Sequence, residues 1–190
     1  VIIEAKKRNI PYIVIGTGQN NLIGTDVLKA CNDNVLDMEL SDPSSIKKSA
    51  AGLFMWFFKT YRRAKYEFKK LIKTGNINPK NTIMIVHGDT VSTLMGALLA
   101  KKYGIRLAHI EAGLRSFDLL LPFPEEIDRI LTSKRTDYHF CPGEIAEGNL
   151  YKAKVSGDII NTWHNTIYDG LQFANTRPFN AELKTEIEKI

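Results

Sequence analysis

Short apolar runs rich in β-branched residues alternate along this chain with longer segments that mix apolar and polar positions. The alternation predicts β-strands joined by α-helices, and strands that are apolar throughout predict a parallel sheet covered on both faces. The predicted strands cover residues 10–15, 35–40, 82–87, 105–110 and 137–141. The predicted helices cover residues 1–8, 24–31, 43–73, 91–103, 124–135 and 144–152. We therefore expect an α/β, Rossmann-like fold with helices on both faces of a parallel sheet.

The two ends of the chain differ from this pattern. The helix predicted at residues 1–8 has no strand before it, so we expect residues 1–160 to form a Rossmann-like domain that lacks its first strand. Residues 161–190 are polar, contain the helix-breaking pair Arg177-Pro178 and end in a Glu/Lys-rich helical stretch. We expect this tail to form the crossover into a second domain and the first helical part of that domain.

Composition excludes several classes of protein. With 190 residues, 44% apolar and 25% charged, the chain is neither disordered nor collagen-like. Its two cysteines, Cys31 and Cys141, are too few for a disulfide scaffold or a four-cysteine zinc site. No stretch approaches the ~20 apolar residues of a membrane span. The basic residues behind the net charge of +5 are scattered among acids, without a nucleic-acid-binding motif. We expect a cytoplasmic α/β protein that binds no nucleic acid.

The segment at residues 50–58 (AAGLFMWFF) is the most unusual in composition, and a basic stretch follows it at residues 59–70. The favoured interpretation is one long helix, buried in its first half and solvated along its basic second half. A subunit interface is the second interpretation, because Trp56, Phe57 and Phe58 are the kind of anchors that interfaces use. A membrane-surface helix is the third.

Acidic residues follow two of the predicted strands and open a predicted helix. Asp89 comes just after the strand at residues 82–87, Glu111 directly follows the strand at 105–110, and Glu125 lies at the start of the helix at 124–135. Ligands of open parallel sheets bind beyond the carboxyl ends of the strands, so we expect these three side chains to converge on one crevice. Crowded carboxylates raise one another's pKa values, which lets one donate a proton while another accepts one.

Each of these residues also has a purely structural interpretation. Asp89 is equally consistent with capping the helix that begins near Val91. Glu125 and Glu126 favour a helix start and are placed to pair with Arg129. Glu111 has no such simple explanation, because an ionised group after a buried strand needs a partner or a task. A neutral, hydrogen-bonded core histidine is the default for the two strand-end residues His87 and His109.

No spacing of His, Cys and carboxylates matches a metal site, and no GxGxxG or Walker loop is present. The turn Gly16-Thr17-Gly18-Gln19 is only a weak glycine-containing signal after a strand.

Three segments resemble, in order and spacing, the non-hydrolysing UDP-N-acetylglucosamine 2-epimerases. They are residues 86–90 (VHGDT), 109–116 (HIEAGLRS) and 124–129 (PEEIDR). Residues 17–19 (TGQ) also resemble that family's segment after its second strand, and the likeness extends to about Asp169. The small residues that follow Glu111 favour the non-hydrolysing branch over the hydrolysing one.

The resemblance implies one half of a glycosyltransferase-B type fold, in which substrate lies between two Rossmann-like domains. It implies interconversion of UDP-GlcNAc and UDP-ManNAc for cell-surface polysaccharides, by elimination of UDP to a 2-acetamidoglucal and re-addition, without a metal or other cofactor. The intact protein is then expected to be a homodimer. Asp89, Glu111 and Glu125 match the family's catalytic carboxylates. The substrate-binding residues implied are Arg115, Glu126, Arg129, His87 and Gln19.

The sequence departs from the family pattern in two places. Asp128 stands where the family usually has Asn, and Asn20-Asn21-Leu22 follows Gln19 where the family commonly has further polar residues. Two other enzymes, a hydrolysing epimerase and a UDP-sugar glycosyltransferase, remain alternatives on the same fold. A non-catalytic regulatory or assembly domain that uses residues 54–58 as an interface is the alternative from another class.

Overall fold

The computed structural model describes residues 1–19, 36–42 and 49–175. The helix predicted at residues 24–31, the first residues of the helix predicted at 43–73 and the Glu/Lys-rich end of the tail lie outside the described residues. Contacts between residues divide the chain into two compact units. Unit 1 comprises Val1–Met84 and Thr90–Arg106, and unit 2 comprises Ile85–Asp89 and Leu107–Ile190.

Unit 1 is mostly helical in its described part. Its helices are α1 (Ile2–Lys7), α2 (Ala50–Lys73) and α3 (Val91–Tyr103), with a 3₁₀ turn at Pro79–Asn81. Strands β1 (Ile15–Gly16) and β2 (Met38–Glu39) form a short parallel pair. The strands predicted at 10–15 and 35–40 therefore shrink to two residues each, and Ile10 and Ile13 are exposed.

Helix α2 packs against α3 along a single stripe. Its buried residues Trp56, Thr60, Ala64 and Phe68 are spaced four apart, which places them on one helix face. The Tyr103 hydroxyl donates to the Lys65 carbonyl oxygen at 2.6 Å and ties the end of α3 to this helix. Because the buried residues run from Trp56 to Phe68 and so extend into the second half of α2, the prediction that only its first half is buried is wrong.

The aromatic residues at the start of α2 point in different directions. Trp56 is buried and its indole N–H donates to Ser41 Oγ at 2.8 Å, so it belongs to the core of unit 1. Phe54, Met55 and Phe58 are exposed. The interpretation of Trp56 as an interface anchor is therefore wrong, whereas an interface formed by its exposed neighbours stays a prediction.

Unit 2 contains most of a four-stranded sheet with strand order β3-β4-β5-β6. The strands are β3 (Ile83–His87), β4 (Arg106–Ile110), β5 (Tyr138–Cys141) and β6 (Asp158–Asn161), and the pairs β4–β5 and β5–β6 are parallel. The helices are α4 (Glu125–Ser133), α5 (Glu144–Lys152) and α6 (Thr166–Asn175). Parallel strands joined by helices are the Rossmann-like α/β arrangement that the sequence predicts.

Two elements of unit 2 were not predicted. Strand β6 holds only two apolar residues between polar ones, so it lacks the apolar run that marks the other strands. Helix α6 follows it within the tail predicted as a crossover. Among the described residues, none of the helices combines the length and the apolar composition needed to cross a bilayer.

Candidate active site

The turn after β4 fixes the backbone of Glu111. Glu111 itself has a positive φ of 64°, and Gly113 follows with φ of 85°. A Cβ atom on Gly113 would lie 2.3 Å from the Ala146 carbonyl oxygen, so only glycine allows α5 to approach this closely. The Asn149 side-chain amide donates to the Gly113 carbonyl oxygen at 3.0 Å. Glu111 is therefore presented from a rigid turn at the carboxyl end of β4.

The Glu111 carboxylate is held by residues from two other elements. Thr166, the first residue of α6, donates its hydroxyl to Glu111 Oε1 at 3.0 Å. The same hydroxyl lies 2.9 Å from Nε2 of His87 at the end of β3. His87 Nε2 is 3.6 Å from Glu111 Oε1. The Glu111 side chain is 14% exposed and that of His87 is 54% exposed, so the expectation that His87 is a core histidine is wrong.

Asp89 lies two residues beyond β3 and forms an ion pair with Arg129 of α4. The segment between β3 and Asp89 is fixed by Gly88, whose N–H donates to the Ile110 carbonyl oxygen at 3.0 Å. Thr90 caps α3, because its hydroxyl oxygen accepts from the Thr93 N–H. The interpretation of Asp89 as the cap of this helix is therefore wrong, and its carboxylate faces a cation instead.

His109 contacts the segment between β3 and Asp89 from within the core. Its Nε2 lies 2.7 Å from the Gly88 carbonyl oxygen, and the ring is fully buried. Burial lowers the pKa of His109 to about 4, against the opposing effect of that hydrogen bond. The ring is neutral near pH 7 and donates from Nε2, which confirms the expectation of a neutral, hydrogen-bonded core histidine at this position.

Glu126 is fully buried and binds two arginines. Its carboxylate accepts from Arg115 Nε at 2.5 Å, from the Ser116 N–H at 3.1 Å and from Arg129 Nη1 at 3.4 Å. Burial acts to raise the pKa of Glu126, but the Ser116 N–H and the two guanidinium groups outweigh it and lower the pKa. Glu126 is thus an ionised anchor that orients Arg115 and Arg129. Its contact with Arg129 is the pairing that the sequence spacing predicts.

Two further carboxyl groups on α4 carry buried oxygens without a hydrogen-bond partner among the described residues: Glu125 Oε2 and Asp128 Oδ2. Asp128 is only 3% exposed. Desolvation, followed by the negative charges of Glu125 and Asp89, raises the pKa of Asp128 to about 7. Burial, together with the neighbouring negative charges, therefore raises the pKa of Asp128, which the sequence marked only as a departure from the family motif.

Gln19 belongs to unit 1. Its side-chain oxygen accepts from the backbone N–H of Ser92 at 2.9 Å and from the Ser92 hydroxyl. The Thr17 hydroxyl also contacts Ser92, at 2.7 Å. The side-chain oxygen of Gln19 is thus engaged with the first turn of α3.

Unit 2 brings the predicted acids to one edge of its sheet. Glu111 is linked to His87 at the end of β3, Asp89 lies two residues beyond His87, and the charges of Asp89 and Glu125 both reach Asp128. Several carboxylates therefore lie near the guanidinium groups of Arg115 and Arg129, a combination that suits proton transfer next to an anionic group. Within the part of the chain that the structure describes, no group of three or more His, Cys, Asp or Glu residues is arranged to hold a metal ion.

Thr166 and Asp128 complete this picture, and the sequence interpretation gave neither a role. The available signal for Thr166 is local: the Asn165 side-chain oxygen accepts from the Ile167 N–H at 2.9 Å, as expected of an Asn just before a helix. That signal places the helix start but not its contact with Glu111, 55 residues earlier.

A family model described as UDP-N-acetylglucosamine 2-epimerase matches residues 4–189 of the chain. Among curated proteins, the UDP-N-acetylglucosamine 2-epimerase of Methanocaldococcus jannaschii is 45% identical over 93 residues, which are 49% of this chain and 25% of that protein. That of Escherichia coli K12 is 38% identical over 109 residues, 57% of this chain and 29% of that protein.

Solved structures of the same kind match nearly the whole chain. The UDP-GlcNAc 2-epimerase of Methanocaldococcus jannaschii in complex with UDP-GlcNAc and UDP is 31% identical with a TM-score of 0.76, and the match covers 100% of this chain and 49% of that one. The Neisseria meningitidis enzyme bound to UDP-GlcNAc is 28% identical with a TM-score of 0.76, covering 99% of this chain and 48% of that one. These epimerases have the glycosyltransferase-B type fold, so the predicted fold class is confirmed, and this chain spans about half of their length.

Proposed function

The chain belongs to the UDP-N-acetylglucosamine 2-epimerase family, and from that premise we propose that the intact protein interconverts UDP-GlcNAc and UDP-ManNAc. The observation that carries the proposal is the placement of three acids at one edge of unit 2. Asp89 follows β3, Glu111 follows β4, and Glu125 is the first residue of α4. The two relatives solved with UDP-GlcNAc bound support the substrate class.

The proposed reaction inverts C2 of the sugar through an elimination. A base removes the C2 proton, the C1–O bond breaks with its electron pair leaving on UDP, and a C1=C2 double bond forms in a 2-acetamidoglucal. A proton then returns to the opposite face of C2, and UDP adds back to C1. Because the C2–H is only weakly acidic, departure of UDP must be assisted by a proton donor and by positive charge.

The described residues supply both kinds of group. Asp89, Glu111 and Glu125 are the proposed proton donors and acceptors. Arg115 and Arg129 are the proposed cations for the leaving group, and Glu126 acts through them because its carboxylate is buried and engaged with both. His87 and Gln19 complete the proposed substrate-binding set.

Three further properties belong to the same proposal. The intact protein is proposed to be a non-hydrolysing isomerase, since small residues follow Glu111. It is proposed to be cytoplasmic, which the buried free thiol of Cys141 suits. A homodimer is proposed because Phe54, Met55 and Phe58 form an exposed apolar group on α2.

Product analysis of the full-length protein tests the function. Incubated with UDP-GlcNAc, the protein is expected to yield a mixture with UDP-ManNAc, identified by the coupling constants of the sugar protons in NMR spectra. Free N-acetylmannosamine with UDP would instead indicate a hydrolysing epimerase, and sugar transfer to an acceptor would indicate a glycosyltransferase. No turnover, together with no UDP-GlcNAc binding in calorimetry, would favour a non-catalytic assembly domain.

A further inference from the structure

We propose that Thr166 is a positioning residue for Glu111 and the middle member of a hydrogen-bonded relay, His87–Thr166–Glu111, that connects the Glu111 carboxylate to bulk water. The relay rests on the proposed function, because it assigns to Glu111 a route by which its proton exchanges between turnovers. All three residues lie in unit 2, on β3, on α6 and at the end of β4.

The direction of the relay follows from the number of protons available. A threonine hydroxyl has one proton and two lone pairs. Thr166 gives that proton to Glu111 Oε1, which accepts it at 3.0 Å. The 2.9 Å contact between Thr166 Oγ1 and His87 Nε2 then requires Nε2 to be the donor. The arrangement therefore places a proton on Nε2 of His87.

Thr166 is needed because His87 and Glu111 do not reach each other. Their separation of 3.6 Å, from Nε2 to Oε1, is too long for a hydrogen bond. When the His87 ring takes up a second proton from water at Nδ1, Nε2 passes its proton to Thr166 Oγ1 while the Thr166 proton passes to Glu111 Oε1, which leaves His87 neutral with its proton on Nδ1 and Glu111 as the neutral acid. In the reverse direction the acid passes its proton through Thr166 to Nε2, and Nδ1 then releases its proton to water, so charge and protons balance in both directions.

The exposure of the two ends gives the relay its function. The Glu111 side chain is 14% exposed, whereas the His87 side chain is 54% exposed to water. A base that takes a proton from one face of C2 must lose it before the next turnover. The relay carries that exchange at its exposed end, His87.

Position in the fold explains why the hydroxyl is available. Asn165 accepts from the Ile167 N–H at the start of α6, which leaves the Thr166 side chain free for contacts with other elements. Strand β6 and helix α6 thus deliver a hydroxyl to the carboxyl ends of β3 and β4.

The test compares Thr166→Val, which keeps the shape and removes the hydroxyl, with Thr166→Ser, which keeps the hydroxyl. In the full-length protein we expect Thr166→Val to lower kcat about 10- to 100-fold, with little change in the KM for UDP-GlcNAc. This fall in kcat is modest for the loss of a proton-transfer partner. Thr166→Ser is expected to stay within about threefold of wild type. Wild-type kcat in the valine variant, or equal impairment of both variants, would overturn the proposal.

Nitrogen-15 NMR of the His87 ring separates failure of the relay from failure of the proposed function. We expect the wild-type ring to carry its proton on Nε2, whether or not the protein turns over UDP-GlcNAc, and a ring protonated only on Nδ1 would overturn the relay. Should the valine variant fail to fold, His87→Ala serves in its place, because the exposed His87 side chain is removed at little cost to folding. We expect it to lower kcat about tenfold, and an unchanged kcat would also overturn the relay.

Discussion

Neighbouring carboxyl groups on α4 have opposite protonation behaviour because their surroundings differ. Glu126 is buried among two guanidinium groups and a backbone N–H, which lower its pKa. Asp128, two residues later, is buried beside Glu125 and Asp89, and its pKa rises to about 7. A single helical turn therefore presents one acid whose pKa is lowered and one whose pKa is raised to about 7.

Replacing Glu111 by Gln is expected to abolish epimerisation. The amide keeps the shape of the side chain but cannot accept a proton, so we expect kcat to fall by at least about 100-fold. The matched control is Glu144→Gln, because Glu144 is an exposed acid at the start of α5 and its loss should leave kcat within about twofold. Steady-state kinetics of the full-length protein checks both, and full activity in Glu111→Gln would remove Glu111 from the mechanism.

Asp128→Asn is expected to change how stability depends on pH. The pKa of Asp128 is raised from 3.8 to about 7, so between these values the folded state holds a proton that the unfolded state has lost. Stability of the wild type therefore falls as pH rises from about 4 to about 7, by roughly 1.4 kcal/mol per pH unit, and levels off above.

Urea unfolding of the wild type and Asp128→Asn at pH 5 and pH 8 measures this difference. The variant has no ionisable group at this position, so its free energy of unfolding relative to the wild type should be higher at pH 8 than at pH 5. An equal stability difference at both pH values would show that Asp128 does not titrate in this window.

Glu126→Gln is expected to destabilise the fold by about 2 kcal/mol, less than a fully buried pair because Arg115 and Arg129 are partly exposed. The pKa of Glu126 is lowered in the folded wild type. The extra stability that its ionised carboxylate gives is therefore present above the ordinary Glu pKa of 4.5 and is lost as pH falls below that value. The control is Glu4→Gln, which removes the exposed Glu4–Lys7 pair and should leave the urea midpoint unchanged. Equal midpoints for Glu126→Gln and the wild type at pH 7 would contradict the anchoring role.

At the scale of elements, the stripe on α2 decides how unit 1 is held together. Trp56→Ala removes a buried indole and its hydrogen bond to Ser41, which should cost about 3–5 kcal/mol. Phe54→Ala, on the same helix but 63% exposed, should cost less than about 1 kcal/mol. Thermal unfolding of the two variants compares them directly. Equal losses would mean that the apolar start of α2 is buried on both faces.

The sequence identifies elements whose own pattern is strong. Helix α3 and helix α5 have the predicted bounds, and β3, β4 and β5 fall within one residue of theirs. Strand β6 escapes prediction because an edge strand with two apolar residues carries little periodic signal. The strand at 10–15 is overpredicted because Ile10, Tyr12 and Ile13 are exposed, which local hydrophobicity does not reveal.

The same distinction applies to the site. Asp89, Glu111 and Glu125 are found from the sequence because they follow strands or open a helix. The contact of Thr166 depends on Glu111, far along the chain, and the raised pKa of Asp128 depends on its burial and on the charges of Glu125 and Asp89. Distance in sequence hides such contacts, and burial of Asp128 follows from packing rather than from residue type.

At the scale of the whole molecule, the chain spans about half of the length of its solved relatives. In the proposed fold the substrate lies between two domains, so a chain that supplies one of them is expected to hold only one side of the cleft. We expect the 190-residue chain alone to form no UDP-ManNAc from UDP-GlcNAc, whereas the full-length protein does. Chromatography of the nucleotide sugars checks this, and turnover by the chain alone would show that one half suffices.

Solvent deuterium incorporation tests the central claim most directly, because removal of the C2 proton is the step assigned to the carboxylates of unit 2. The full-length protein is incubated with UDP-GlcNAc in D2O, and the sugars are analysed by NMR and mass spectrometry. We predict that UDP-ManNAc forms with deuterium at C2, that deuterium also enters C2 of the remaining UDP-GlcNAc, and that Glu111→Gln shows neither. UDP-ManNAc that retains the original C2 proton would contradict the account.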